Sequence, residues 1–76
     1  MVLAYVMVRV DAGKEREVLQ QVRKWAEVKE AHIIYGEWDL IIKVEVGSIE
    51  EITSFVVDKL RTLDPVKLTS TMIVAE

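Results

Sequence analysis

The sequence contains no cysteine, only one histidine, and no continuous apolar stretch long enough to span a membrane. Without cysteine there is no disulfide framework of the kind that small secreted domains use, so we expect a cytoplasmic protein. One histidine without cysteine gives no ligand spacing for a metal, and no cofactor-binding motif is present. A membrane span needs about 18 apolar residues in a row, so no membrane partner is expected.

Basic patches are also missing, whereas apolar residues are abundant. The net charge is −3, and lysine and arginine are interspersed with acidic residues. Nucleic-acid binding needs clustered cations to neutralise phosphates, so we expect no direct contact with DNA or RNA. With 51% hydrophobic residues and a mean hydropathy of +0.22, the chain holds more apolar material than a lone 76-residue domain can bury. This excess predicts an oligomer.

The first half of the chain shows the pattern of a strand, a helix and a second strand. Residues 2–10 are rich in β-branched and apolar side chains and predict the first strand. Asp11 is a candidate helix N-cap. A helix of about three to four turns is predicted from apolar residues at helical spacing, namely Val18, Leu19, Val22, Trp25 and Ala26. Residues 28–35 predict the second strand.

The second half repeats this order. Residues 39–46 alternate apolar and polar side chains and predict a third strand, antiparallel to the second across a short hairpin. Ser48 and Glu51 have the spacing of a capping box, which predicts the start of a second helix. Asp64-Pro65 ends that helix, because the residue before proline is driven away from helical conformation. Residues 66–75 predict the fourth strand.

The element order β-α-β-β-α-β predicts a single α+β domain over residues 1–76. The fold class is ferredoxin-like, with a four-stranded antiparallel sheet and two helices on one face. The opposite face of the sheet is also apolar in parts, as Leu3, Tyr5 and Met7 show on the first strand. We expect a second copy to cover this face and form a dimer by sheet packing.

The hairpin between the second and third strands is the strongest candidate for a binding site. It places Glu37 and Asp39 around Trp38 and next to Gly36, where glycine permits positive φ and lets backbone approach a ligand. Backbone N–H groups at such a turn hold a carboxylate, and Asp39 or Glu37 can pair with an ammonium group. Together they suit a zwitterion. Taken alone, however, the pattern favours a plain polar turn with an exposed tryptophan.

Three other polar features have both a plain and a functional interpretation. Thr69 and Thr71 project from one face of the fourth strand and either line a pocket or serve as ordinary β-formers. His32, inside the second strand, has no acid or nucleophile placed beside it by the sequence, and the pattern favours a partly exposed strand residue. No catalytic residue is assigned.

Taken in order, several runs of residues resemble the effector domain of the Lrp/AsnC feast/famine transcription regulators. These runs are Ala4-Tyr5-Val6-Met7-Val8-Arg9-Val10, Gly13-Lys14-Glu15, Val28-Lys29-Glu30-Ala31, Tyr35-Gly36-Glu37-Trp38-Asp39-Leu40-Ile41-Ile42-Lys43-Val44 and Thr69-Ser70-Thr71-Met72-Ile73-Val74. The resemblance extends from end to end of the chain. Its most specific part is the hairpin of glycine, acid, aromatic and aspartate followed by an apolar strand.

The resemblance implies a RAM (regulation of amino acid metabolism) domain that binds a free amino acid or a similar small effector. Such domains form dimeric α/β barrels, and in that family the homodimers often assemble into rings; the sequence leaves open whether this chain forms a dimer or a ring of four or five dimers. Carried over by position, the effector-binding residues are Gly36, Glu37, Trp38 and Asp39 of one subunit with Thr69 and Thr71 of a neighbour. With this match in position, the hairpin is interpreted as a binding site and no longer as a plain polar turn.

The chain departs from those regulators because no helix-turn-helix precedes Met1, so it resembles a stand-alone RAM domain. On this interpretation it modulates transcription by co-assembling with a full-length Lrp/AsnC regulator, or senses amino acids for another process. Two alternatives stay open. One is a small dimeric α/β-barrel enzyme of monooxygenase or isomerase type using His32, and the other is a structural oligomer without a ligand. The resemblance favours a sensor that is not an enzyme.

Overall fold

The computed structural model describes residues 1–76, and its element order confirms the predicted β-α-β-β-α-β fold. The strands and helices are β1 Val2–Val10, α1 Glu15–Val22, β2 Val28–Ile33, β3 Leu40–Val46, α2 Ile49–Ser54 and β4 Val66–Ile73. The helical segment that begins with α2 continues through a π-helical turn, Phe55–Lys59, and a 3₁₀ turn, Leu60–Thr62. The four strands form one antiparallel sheet in the order β2-β3-β1-β4.

The core lies between the sheet and the helices. Every second side chain is buried along β3, which confirms the alternation predicted for residues 39–46, and along β1 from Ala4 onward. The strands pair so that Val6 lies opposite Ile42 and Val8 opposite Leu40, and all four are fully buried. Val18 and Val22 of α1 and Ile52 of α2 complete the core from the helical side. Each fully buried valine or leucine stabilises the fold by about 1.5–3 kcal/mol.

The first helix is shorter than predicted, and Asp11 is not its N-cap. The helix starts after Lys14 without a side-chain cap and ends at Val22, so it has little more than two turns. The chain then turns so that Trp25 packs edge-on against Phe55, with ring centroids 5.6 Å apart. Asp11 instead donates its backbone N–H to Pro65 O (2.9 Å) and places its carboxylate 3.6 Å from Lys67 Nζ.

The strands that flank the hairpin, and β4, are one or two residues shorter than predicted. Pairing nevertheless continues past two of these ends, because Ile34 N–H donates to Asp39 O (2.9 Å) and Val74 N–H donates to Leu3 O (2.8 Å). The predicted strand ends were wrong by only one or two residues, because the regular pairing of the backbone stops before the predicted ends are reached.

The second helix begins as the capping box predicts. Ser48 Oγ accepts from Glu51 N–H at 3.3 Å. The Glu51 carboxylate reaches one residue further back than the usual box and accepts from Gly47 N–H at 2.7 Å. Further along, Phe55 and Leu60 are both buried although they are five residues apart. That spacing matches the i→i+5 bond of the π-helical turn, in which Leu60 N–H donates to Phe55 O.

The sheet face opposite the helices, called here the outer face, keeps apolar side chains accessible. Tyr5 and Met7 are partly buried, while Leu68 and Met72 are each 51% exposed. Cross-strand pairing places Tyr5 beside Met72 and Met7 beside Ile41, so these side chains form one continuous surface. None of the helices has the length and apolar character needed to traverse a lipid bilayer.

An ion pair ties the π-helical turn to the loop before β2. Lys59 Nζ lies 2.8 Å from Glu27 Oε2 and 5.8 Å from the ring centroid of Trp25. The hydrogen bond from Lys59 lowers the pKa of the Glu27 carboxyl below its ordinary value of 4.5. The native state therefore favours the charged carboxylate more than the unfolded chain does.

This lowered pKa predicts that acid weakens the fold through Glu27. Below about pH 4.5 the unfolded chain takes up a proton before the native carboxylate does, so the free energy of unfolding falls until the lower native pKa is passed. Glu27→Gln should therefore reduce the loss of stability between about pH 6 and pH 3 in urea denaturation. Glu50→Gln, at an exposed carboxyl with no hydrogen bond or ion pair, is the matched control. An unchanged acid slope in Glu27→Gln would contradict the assignment.

Candidate functional site

The hairpin between β2 and β3, residues 34–39, is anchored to the sheet at its base. Ile34 N–H donates to Asp39 O, and Asp39 N–H donates to Val8 O on β1, both at 2.9 Å. The base of the hairpin is therefore closed by a bond between its own ends and is also bonded to β1. Its tip is open, since Tyr35 is fully exposed.

Gly36 has the conformation that was predicted for it. Its φ is +129°, a region that side-chain-bearing residues rarely adopt. A Cβ added there would meet no atom within 4 Å. Glycine is therefore required by backbone strain and not by crowding, and the space in front of its Cα is free for another molecule.

Asp39 makes a contact that the sequence did not predict. Its Oδ2 accepts from Val10 N–H at 2.8 Å, which joins the hairpin to the end of β1. This bond satisfies a partly buried backbone donor, so Asp39 supports the fold locally. Its other carboxylate oxygen has no hydrogen-bond partner within the chain, and pairing of that oxygen with an effector ammonium stays a prediction.

Arg9 is the residue of this region that sequence reasoning missed. Its Nε donates to Glu37 O at 3.1 Å, and a terminal nitrogen donates to the same oxygen. Its guanidinium also lies over the Trp38 ring, 5.5 Å from the centroid. The outward position of Arg9 on β1 is visible in the alternation of the strand, but its contact with the hairpin follows only from the pairing of β1 with β3.

Thr69 and Thr71 lie on the helix face of the sheet, whereas Arg9 lies on the outer face. Thr69 pairs with Val8 and Thr71 with Val6, and directly opposed residues project from the same face, so both threonines share the helix face with these valines. Arg9 pairs with Leu68 on the outer face. Strand β1 separates the threonines from the hairpin, and one chain does not bring the two predicted halves of the site into contact.

Thr69 borders a cavity of about 300 Å³ at the β4 edge, whereas Thr71 is exposed to solvent. The cavity is also lined by Arg61, Val66, Lys67 and Leu68. Thr69 therefore sits in a cationic recess, apart from the carboxylates of the hairpin.

His32 is exposed on β2, which confirms its interpretation as an exposed strand residue. Its Nε2 lies 3.3 Å from Glu30 Oε1, and Lys43 Nζ lies 3.6 Å from Glu30 Oε2. The hydrogen bond with His32, followed by the charge of Lys43, holds the pKa of Glu30 below its ordinary value. The three side chains form a solvated charge cluster on the outer face.

Comparison with known proteins gives one family over nearly the whole chain. The family model for the Lrp/AsnC ligand binding domain matches residues 3–76. An uncharacterised HTH-type transcriptional regulator of Pyrococcus abyssi is 41% identical over 73 residues, covering 92% of this chain and 49% of that protein. The chain thus spans about half the length of the curated relatives it matches.

Solved structures share both the fold and part of the sequence. The crystal structure of FFRP-DM1 has a TM-score of 0.94 and 43% identity, and the match covers 97% of this chain and 99% of that one. A transcriptional regulator of Neisseria meningitidis, solved as a complex with L-Met, has a TM-score of 0.88 and 26% identity. That match covers 99% of this chain and 50% of the regulator.

The bond between Asp39 and Val10 predicts a stability role that can be measured. Asp39→Ala leaves Val10 N–H without its acceptor and should lower the free energy of unfolding by about 1–3 kcal/mol in urea denaturation. Asp39→Asn keeps an acceptor oxygen and should cost less. Glu37→Ala removes an exposed carboxylate with no contact and should change stability by less than about 0.5 kcal/mol. Equal losses in Asp39→Ala and Glu37→Ala would show that the bond contributes nothing.

Proposed function

Because this chain belongs to the Lrp/AsnC ligand-binding domain family, we propose that residues 1–76 act as one effector-binding domain that senses a free amino acid or a similar small molecule. The relatives it matches are transcriptional regulators, which supports a regulatory role. The effector would lie against the hairpin residues Gly36, Glu37, Trp38 and Asp39.

The observation that carries this proposal is the open backbone at Gly36 on a hairpin anchored at its base. The positive φ of Gly36 and the empty space in front of its Cα let a ligand approach the main chain. The free carboxylate of Glu37 and the second oxygen of Asp39 supply acceptors for an ammonium group. The Neisseria meningitidis structure with L-Met supports an amino acid as the ligand class.

In the proposed site, Thr69 and Thr71 come from a neighbouring copy. Within one chain they lie on the helix face, on the far side of β1 from the hairpin. A second copy has to supply them if they take part. Effector binding would then stabilise contacts between copies, and assembly would raise the affinity for the effector by the same factor.

The proposed assembly starts from a homodimer that packs two outer faces together. Tyr5, Met7, Leu68 and Met72 supply the apolar surface for this contact. Dimers would then associate into a ring of four or five, which brings hairpins and threonines of different dimers together.

The proposed regulation does not require this chain to touch DNA. The chain aligns with about half of each HTH-type relative and carries a net charge of −3 without a basic stripe. A full-length Lrp/AsnC regulator that co-assembles with it in the cytoplasm would make the DNA contact.

Effector binding should raise the melting temperature of the protein. At a ligand concentration of about 100 Kd the expected stabilisation is about 2.7 kcal/mol, measured by thermal shift against each of the standard amino acids. Glu37→Gln and Thr71→Val should each reduce the shift, because they remove a proposed contact from each half of the site. His32→Ala should leave it intact, whereas a His32-dependent enzyme would lose turnover in that variant. No shift with any amino acid at millimolar concentration would contradict the proposal.

The sheet-packed dimer predicts that a charge on the outer face disrupts assembly. Met72→Glu should reduce the mass measured by light scattering, because the carboxylate would be buried in the apolar interface. Val57→Glu is the matched control, since Val57 has the same 51% exposure but lies on the helical side. A monomeric mass for the unmodified chain would rule out the dimer and the shared site together.

A further inference from the structure

Arg9 is held in place at the hairpin although no carboxylate of the chain neutralises it. The ion pairs of the structure are made by lysines and by His32, and Arg9 makes none. Its nearest contacts are a backbone carbonyl, Glu37 O, and the ring of Trp38. The side chain of an exposed arginine usually keeps its charged group free in solvent. Two different groups restrict the Arg9 guanidinium, which suggests that its position serves a function.

The contacts of Arg9 leave part of its hydrogen-bonding capacity unused. A guanidinium is a planar fork with five N–H donors. The Nε and one terminal nitrogen both donate to Glu37 O, and the remaining N–H groups have no acceptor within the chain. Trp38 lies against the guanidinium and further restricts its orientation. The unused N–H groups of Arg9 therefore lie in a guanidinium plane whose orientation is fixed by the hairpin.

The charges around the hairpin favour an anion as the binding partner of the Arg9 guanidinium. Among the side chains that contact the hairpin, Arg9 is the cationic one, and Asp39 already uses one oxygen on Val10 N–H. Two planar groups, a guanidinium and a carboxylate, form the paired hydrogen bonds for which arginine is suited. Since the protein already orders Arg9, little further entropy is lost when a carboxylate binds.

We propose that Arg9 binds the carboxylate of the effector, a step that rests on the proposed amino-acid site. The backbone N–H groups of the hairpin were expected to hold that carboxylate, and Arg9 supplies the formal positive charge that they lack. Glu37 and the second oxygen of Asp39 then face the ammonium end. The ligand class narrows to molecules with a free carboxylate, and the corresponding amide or amine binds weakly.

The test compares each acid with its own amide. The standard amino acid that raises the melting temperature most is chosen, and isothermal titration measures Kd for that amino acid and for its α-carboxamide on the full chain. The unmodified protein should prefer the acid by about tenfold to hundredfold. Arg9→Gln should remove most of this preference by weakening the acid alone, and Arg9→Lys, which keeps the charge, should recover part of it.

A matched arginine controls for the change in net charge. Arg16 is exposed on α1 and makes no hydrogen bond or ion pair, so Arg16→Gln should leave both affinities unchanged. If Arg9→Gln weakens acid and amide by the same factor, Arg9 only positions the hairpin and the carboxylate role is overturned. That role is equally overturned if Arg9→Gln keeps the full preference for the acid. If no amino acid stabilises even the unmodified chain, the amino-acid site itself fails, an outcome distinct from either result with Arg9→Gln.

Discussion

The structure depends on the simultaneous pairing of β1 with β3 on one side and β4 on the other. Antiparallel pairing of three strands forces their side chains into common rows, because residues that lie opposite one another project from the same face. One set of rows, which includes Val6 and Val8, forms the core beneath the helices. The other set carries Tyr5, Met7 and Arg9 to the outer face. A shift of one residue would exchange the two sets, so burial of the core rows also determines which residues remain available for recognition.

Much of this fold could be predicted from periodicity and local capping. The alternation on β1 and β3 is a two-residue pattern imposed by burial, and the Ser48–Glu51 pair is a local hydrogen-bonding signal. Both signals depend only on residues that are close together in the sequence. The end of α1 and the role of Asp11 could not be predicted in this way. Trp25 leaves the helix to meet Phe55, and Asp11 bonds to Pro65, and each partner is far away in sequence.

The candidate site shows the same division between local and distant signals. The need for glycine at position 36 follows from a tight hairpin and was predictable. The contacts of Arg9 and Asp39 were not, because they join the hairpin to β1, about thirty residues earlier in the chain. The face of Thr69 and Thr71 depends on the register between β1 and β4, which hydrophobic pattern alone left open. Family resemblance pointed to the hairpin and β4 as candidate segments but did not show that β1 separates them within one chain.

The π-helical turn at Phe55–Lys59 bears on how the length of this chain can vary during evolution. In an α-helix each residue rotates by about 100°, so residues five apart project in clearly different directions. The wider turn restores a common direction for Phe55 and Leu60, and both reach the core. Loss of a single residue within this turn would leave those two positions four apart in a regular α-helix, where they again share a face, so the residues that follow would keep their orientation toward the sheet. The segment is therefore expected to accommodate the loss of one residue while the packing on either side of it is kept.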